Sequence, residues 1–126
     1  MPAIELSALE ALLTSAPPPV LLDVRLPEDY AEAHLPGAVN ACVFEVAFPQ
    51  RAAELAPDRA RSVVVYGAAA ASLESAEAAA KLARLGWAAV QDFRGGLAAW
   101  RAAGRPVEAG PAAEAPPPLT GERPVD

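Results

Sequence analysis

Two short segments built almost entirely from aliphatic and β-branched side chains constrain the fold of this chain most strongly. Residues 20–24 (VLLDV) and 63–66 (VVVY) are nearly continuous apolar runs without the polar alternation of a half-exposed strand. Runs of this kind are typical of strands buried on both faces, and helical patterns separate them from further strand signals. Strands that alternate with helices over about the first hundred residues predict an α/β fold, with a parallel sheet covered by helices on both faces.

Further strands are expected before, between and after these two runs. The segments concerned are short, apolar and bounded by prolines, glycines or helix-start signals. With the two runs, they give five expected strands, at residues 3–6, 20–24, 38–43, 63–66 and 88–93.

The helices are placed by capping residues and prolines. Ser7 with Glu10 predicts a capping box at the first helix, and Pro49 is expected to divide residues 44–56 into two short helical pieces. Ser72 is expected to cap the longest helix, which Gly86 would end. The expected inward-facing stripe of that helix consists of Leu73, Ala76, Ala80 and Ala83.

Charge and cysteine content exclude several classes of function. The chain has 16 acidic and 10 basic residues and a net charge of −6, whereas a nucleic-acid binder normally displays a basic face. One cysteine and one histidine cannot assemble a zinc or iron–sulfur site within one chain, nor can a lone cysteine form an intrachain disulfide. We therefore expect no metal, no cofactor and no nucleic-acid partner.

The sequence also indicates where the protein works and how the chain is divided. No basic leader begins it, and no apolar stretch approaches the ~20 residues of a membrane span, so we expect a cytoplasmic protein without a membrane partner. The preference for arginine over lysine fits a GC-rich genome or a thermophile. Residues 1–108 are expected to form one domain, and residues 109–126, rich in proline and alanine, a flexible tail.

Candidate functional residues cluster where the expected strands end. In a parallel α/β sheet, sites form beyond the carboxyl ends of the strands, where loops lead into helix N-termini. Residues 23–25, 40–43 and 66–75 all reach that edge. The third segment is a run of small residues between a buried strand and a helix, so its backbone N–H groups are expected to form a cradle that holds a small anion.

Six motifs, in this order along the chain, are similar to a known family. They are residues 22–25 (LDVR), 27–30 (PEDY), 34–40 (HLPGAVN), 63–66 (VVVY), 95–100 (GGLAAW) and 104–107 (GRPV). This ordered set resembles the rhodanese (sulfurtransferase) family over about residues 3–108. The resemblance implies a five-stranded parallel sheet between helices. It also implies a sulfur-carrying cysteine directly after the VVVY-type strand, with a loop that wraps the sulfur and its anionic donor.

At that catalytic position the chain has Gly67 instead of cysteine. Glu74 stands where the family loop often carries arginine, and its charge would oppose an incoming anion. The residues equivalent to the active-site loop are Gly67, Ala68, Ala69, Ala70, Ala71, Ser72, Leu73, Glu74 and Ser75. None of them supplies a thiol, so we expect no thiosulfate sulfurtransferase activity here. We expect a binding or regulatory module, with a small anion or a protein as partner.

Two other functions remain open. A sulfurtransferase or persulfide carrier using Cys42 requires this thiol to be open to solvent and to face the Gly67 loop, whereas a cysteine more often behaves as a small buried hydrophobe. A relative of the rhodanese-fold phosphatases would bind a small anion, but the loop lacks their cysteine and arginine. If the chain is an enzyme, sulfur transfer is the expected reaction.

Three more residues have a structural and a functional interpretation. Asp23 and Arg25 resemble the family's Asp-x-Arg, which implies a structural ion pair near the site; the alternative is that Arg25 points at a bound anion. His34 is expected in the last turn of a helix, where it interacts favourably with the helix C-terminus rather than acting as a base.

Overall fold

The carboxyl ends of five parallel strands form one edge of a sheet in the computed structural model, which describes residues 3–111. The strands lie in the order β1-β5-β4-β2-β3, and every neighbouring pair is parallel. Their bounds are β1 Ala3–Ile4, β2 Val20–Asp23, β3 Val39–Asn40, β4 Val63–Tyr66 and β5 Val90–Phe93.

Five helices connect and follow the strands. They are α1 Leu6–Leu13, α2 Pro27–Glu32, α3 Phe48–Leu55, α4 Glu74–Arg84 and α5 Gly96–Ala102. Within residues 3–111 no helix combines the length and the apolar character that crossing a bilayer requires. The predicted α/β architecture with a five-stranded parallel sheet is confirmed.

Two apolar clusters cover the two faces of the sheet. On one face, α3 and α4 pack against the sheet through Phe48, Ala52, Ala78 and Leu82. On the other face, α1, α2 and α5 contribute the buried side chains of Leu9, Tyr30 and Trp100. Residues 63–66 lie at the centre and are buried on both faces, which explains why their sequence lacks polar alternation.

Several predicted helix starts are wrong. Helix α1 begins at Leu6 with Glu5 as its N-cap and no side-chain cap, so Ser7 lies inside the first turn and the predicted capping box does not form. Helix α4 begins at Glu74 with Leu73 as N-cap, so Ser72 does not cap it. Pro49 does not interrupt a helix. It stands in the first turn of α3, where a missing N–H costs no helical hydrogen bond.

The predicted inward stripe of α4 is also wrong. The buried residues of this helix are Ser75, Ala78, Ala79 and Leu82, and Leu73 is 69% exposed. Alanine occurs on every side of this helix, and its small side chain gives little preference for either environment. The contact with β4 and β5, rather than the apolar pattern, therefore decides which face is buried.

The third strand is shorter than the predicted residues 38–43. Only Val39–Asn40 is a strand, although the N–H of Ala41 still donates to the Asp23 carbonyl and that of Val43 to the Val24 carbonyl. The chain thus remains attached to β2 while turning toward α3.

The chain after α5 returns to α2. Residues 34 and 108 form an antiparallel bridge with two backbone hydrogen bonds of 2.8 Å, and the Gly110 N–H donates to the Ala31 carbonyl. His34 lies two residues beyond the end of α2, is buried, and stacks on Tyr30 with ring centroids 3.8 Å apart. Most of the predicted tail, residues 112–126, falls outside the described residues.

A buried carboxylate connects the carboxyl ends of two strands with the segment that follows α2. Asp23, at the end of β2, accepts hydrogen bonds from the backbone N–H of Arg25 at 3.0 Å, from its Nη2 at 2.6 Å and from the Tyr66 hydroxyl at 2.7 Å. That hydroxyl in turn accepts the Leu35 N–H at 3.0 Å. These bonds link β2, β4 and the segment after α2.

Replacing Tyr66 tests this network. We expect Tyr66→Phe to lower the free energy of unfolding by about 2 kcal/mol, because it removes a donor to a buried charge and leaves the Leu35 N–H without its partner. Urea denaturation followed by tryptophan fluorescence measures this change. Tyr30→Phe is the matched control: it removes one bond to the neutral Ala38 carbonyl and should cost about 1 kcal/mol. Equal losses in both variants would contradict the account.

High pH provides a second test. Burial and, next, the nearby Asp23 charge raise the pKa of both Tyr30 and Tyr66, the two tyrosines of the chain. The folded state therefore keeps these hydroxyl protons to a higher pH than the unfolded state does. The stabilisation of the folded state by the two neutral hydroxyls is complete below about pH 10 and is lost as pH rises further. Phenolate absorbance should therefore appear together with unfolding. A phenolate signal from the folded protein near pH 10 would be inconsistent with this.

Candidate functional site

A cavity of about 310 Å³ opens beside the carboxyl ends of β2 and β4. It is lined by Arg25, Leu26, Asp29, Phe44, Ala68 and Glu74. These residues come from the chain after β2, the start of α2, the loop after β3 and both ends of the connection between β4 and α4. The cavity therefore lies at the edge where the sequence predicted a site.

Gly67 follows β4 directly, and the side chain of Glu74 fills the space next to it. A Cβ atom on Gly67 would meet Glu74 Oε2 and would lie only 2.5 Å from its Cγ and 2.8 Å from its Cδ, closer than real Cβ contacts. Glu74 Oε2 accepts a hydrogen bond of 2.7 Å from the backbone N–H of Ala68. The protein's own carboxylate thus occupies the position of a side chain at residue 67.

Helix α5 holds the start of the loop after β4. The Gly67 carbonyl accepts the Leu97 N–H at 3.0 Å, and the Ala68 carbonyl accepts the Ala98 N–H at 2.9 Å. Gly96 has a φ of +61°, and a Cβ on it would lie 2.9 Å from the carbonyl carbon of Gly67, so only glycine permits this approach. The backbone of the loop is therefore fixed even though its side chains are small.

Arg94 holds the loop farther along. Its Nη2 donates to the Ala70 carbonyl at 2.9 Å, and its Nη1 lies 3.5 Å from Asp92 Oδ2. Oδ1 of Asp92 is buried without a hydrogen-bond partner. Arg94 thus supplies a positive charge from β5's side of the loop, while the loop itself carries none.

The predicted loop of nine residues is shorter in the structure. Residues 67–73 are irregular, whereas Glu74 and Ser75 belong to the first turn of α4, and Ser75 is buried. The Ser72 N–H donates to the Ala69 carbonyl, and the Ala68 N–H donates to the carboxylate of Glu74. These two N–H groups are therefore already satisfied within the chain and are not available to an anion.

Asp23 and Arg25 form a buried, bidentate ion pair. Arg25 Nη2 lies 2.6 Å from Asp23 Oδ2 and also donates to the Ala33 carbonyl at 2.6 Å. Burial by itself would lower the pKa of Arg25, but the hydrogen bond and charge of Asp23 outweigh it and raise this pKa. The guanidinium is thus a charged structural group whose side chain reaches the wall of the cavity.

Cys42 is 3% exposed and does not line the cavity. It follows β3, which β2 separates from β4, so the thiol is not on the strand next to Gly67. Burial raises the pKa of Cys42, and the charges of Glu45 and Glu28 act in the same direction against partial compensation from backbone N–H groups. The persulfide function required a solvent-open thiol, and this thiol is not solvent-open.

Four residues of this region are not among those predicted from the sequence: Leu26, Asp29 and Phe44 in the cavity wall, and Arg94 against the loop. Each lies one to four residues beyond a strand end, or in the first turn of the following helix. Proximity to the carboxyl edge was the available signal, but their residue types suit a solvated surface equally well.

Comparisons with known proteins agree with this fold. A family model of the rhodanese-like domain matches residues 5–103. A solution structure of a rhodanese-like domain from Anabaena sp. has a TM-score of 0.74 and 28% sequence identity, and the match covers 100% of this chain and 92% of that one.

Two curated relatives are also similar. A sulfurtransferase from Allochromatium vinosum is 31% identical over 84% of this chain and 94% of its own length. An HTH-type transcriptional regulator from Mycobacterium tuberculosis is 38% identical over 71% of this chain, which corresponds to only 38% of the regulator. The chain belongs to the rhodanese-like domain family.

Proposed function

We propose that this protein is a rhodanese-like binding or regulatory module without thiosulfate sulfurtransferase activity. The observation that carries the proposal is the arrangement of Gly67 and Glu74. The position that follows β4 has no side chain, and the carboxylate of Glu74 fills the adjacent space and binds the Ala68 N–H.

Sulfur transfer needs a thiolate that the loop does not supply. The attacking group must be a polarizable thiolate, and residues 67–73 contain only glycine, alanine, serine and leucine. A donor such as thiosulfate is an anion, so the Glu74 charge at the N-terminus of α4 repels it. Both the nucleophile and the electrostatic attraction for the donor are missing from this loop.

The two curated relatives bear on this proposal in different ways. The relative named as a transcriptional regulator supports a regulatory role for a domain of this kind, although this chain spans only part of that protein. The relative named as a sulfurtransferase supports the enzymatic alternative. The absence of a thiol at residue 67 favours the regulatory role.

Two alternatives have less support. For a persulfide carrier using Cys42, the thiol is buried and its pKa is raised, so little thiolate would form near neutral pH. For a binder of small anions, the Ala68 N–H is already bonded to Glu74, whose charge opposes a second anion.

Incubation with thiosulfate tests the proposal. We expect intact-mass analysis to show no gain of a sulfur atom, and a cyanide-dependent assay to show no thiocyanate, because no accessible thiolate is present. An active rhodanese is the positive control for both assays. An adduct on the wild-type protein that is absent from Cys42→Ser would overturn the proposal in favour of a relocated sulfur carrier.

The contact between residues 67 and 74 predicts energetic coupling. We expect Gly67→Ala to lower the free energy of unfolding by about 1 kcal/mol, because the new methyl group must displace Glu74 from the Ala68 N–H. In a Glu74→Ala background the same substitution should cost less than about 0.5 kcal/mol. Urea denaturation of the four proteins of this double-mutant cycle gives the coupling energy.

Two results make the cycle decisive. Glu77→Ala, one turn farther along α4, is the matched control background and should leave the cost of Gly67→Ala unchanged. If Gly67→Ala costs the same in the Glu74→Ala background, the carboxylate does not occupy the space beside residue 67.

A further inference from the structure

Most of the large apolar side chains exposed within residues 3–111 line one of two cavities next to the loop between β3 and α3. Residues 41–47, between β3 and α3, carry Phe44 and Val46, which are 61% and 99% exposed. Phe44 and Leu26 line the cavity beside Gly67, and Val46 and Leu85 line a second cavity of about 240 Å³. Four of the five large apolar side chains exposed in residues 3–111 thus border these two cavities. Apolar groups concentrated in this way mark an interaction surface.

The cavity beside Gly67 also carries excess negative charge. Arg25 is the one cationic residue in its wall, and Asp23 balances that charge. Asp29 and Glu74 line the same cavity, and neither forms an ion pair within the described part of the chain. Asp29 also acts on Arg25 through its charge, but with Asp23 already paired to Arg25 the wall still has more carboxylates than cations. Carboxylates beside the apolar side chains of Leu26 and Phe44 complement a cation that is flanked by apolar groups.

We propose that this cavity binds a lysine or arginine side chain of a partner protein. The cationic group approaches the carboxylates of Asp29 and Glu74, and apolar residues beside it pack on Leu26 and Phe44. This inference rests on the proposed function, because it identifies the class of partner for the same site. It replaces the small anion expected from the sequence with a ligand of the opposite charge.

The same observations disfavour the other occupants. An anion meets two carboxylates, and Glu74 already takes the Ala68 N–H. Two copies of this chain each carry a net charge of −6, which opposes their association through an acidic surface. A cavity of about 310 Å³ is at the lower end of the ~300–1,000 Å³ typical of ligand sites, so it suits one side chain rather than a folded element.

Titration with short peptides tests the proposal. The full chain, labelled with ¹⁵N, is titrated at low salt with two acetylated tripeptide amides, one with arginine between two leucines and one with glutamine in its place. We expect the arginine peptide to shift the amide signals of Leu26, Phe44 and Ala68. It should bind at least about threefold more tightly than the glutamine peptide, and this difference should shrink as salt is added.

Charge-removing variants locate the effect. In the Asp29→Asn/Glu74→Gln variant, glutamine can still accept the Ala68 N–H, so we expect the loop to stay in place while the preference for arginine disappears. The Glu54→Gln/Asp58→Asn variant removes two carboxylates that do not line the cavity, and it should keep the preference.

Four results would each overturn the inference. They are equal binding of both peptides, no binding of either, amide shifts at this surface that depend on protein concentration alone, and shifts at Ala68 caused by sulfate. The third result would identify a second copy as the occupant, and the fourth an anion. None of these results bears on sulfur transfer, so the thiosulfate assay tests the proposed function separately.

Discussion

The buried carboxylate of Asp23 is the interaction on which the functional edge of this protein depends. A charge in the interior is tolerated only when it is fully hydrogen-bonded, and Asp23 meets this condition through Arg25 and Tyr66. The partners come from the turn after β2 and from the end of β4. The carbonyl of Asp23 also accepts the Asn40 side chain at 3.0 Å, which ties in β3. Satisfying the carboxylate charge therefore sets the relative positions of the ends of β2 and β4, and the backbone carbonyl of the same residue adds the end of β3.

At this edge, residue 67 supplies no side chain, and another group of the protein occupies the space beside it. Without a Cβ at Gly67, the side chain of Glu74 has room to fold back onto the Ala68 N–H. A region that the family resemblance associates with a sulfur anion thus holds a carboxylate of the protein itself. The backbone around it is preserved, since α5 and Arg94 still hold the loop through its carbonyls. Packing therefore maintains the fold of this loop without any contribution from a side chain at position 67.

Much of the architecture could be predicted because it depends on local chemistry. Buried strands need continuous apolar runs, and their alternation with helices leaves a parallel sheet as the simple solution. The starts of α1 and α4 could not be predicted from Ser7 and Ser72, because a serine offers a cap without forcing the helix to use it. The buried face of α4 was equally undetermined, since its alanines pack well on any side.

For the site, the sequence by itself determined which chemistry is missing: residue 67 is glycine and the loop after β4 carries no thiol. It also placed Asp23, Arg25 and the loop at one edge, because parallel strands end together. Only the tertiary structure decided that Cys42 is buried, that Glu74 fills the space beside Gly67, and that Asp29 and Phe44 share a cavity with it. The physical reason is that the burial of Cys42 and the shared cavity depend on how separate crossovers pack together, and the contact of Glu74 with Gly67 on the path of the loop between them, rather than on any local pattern.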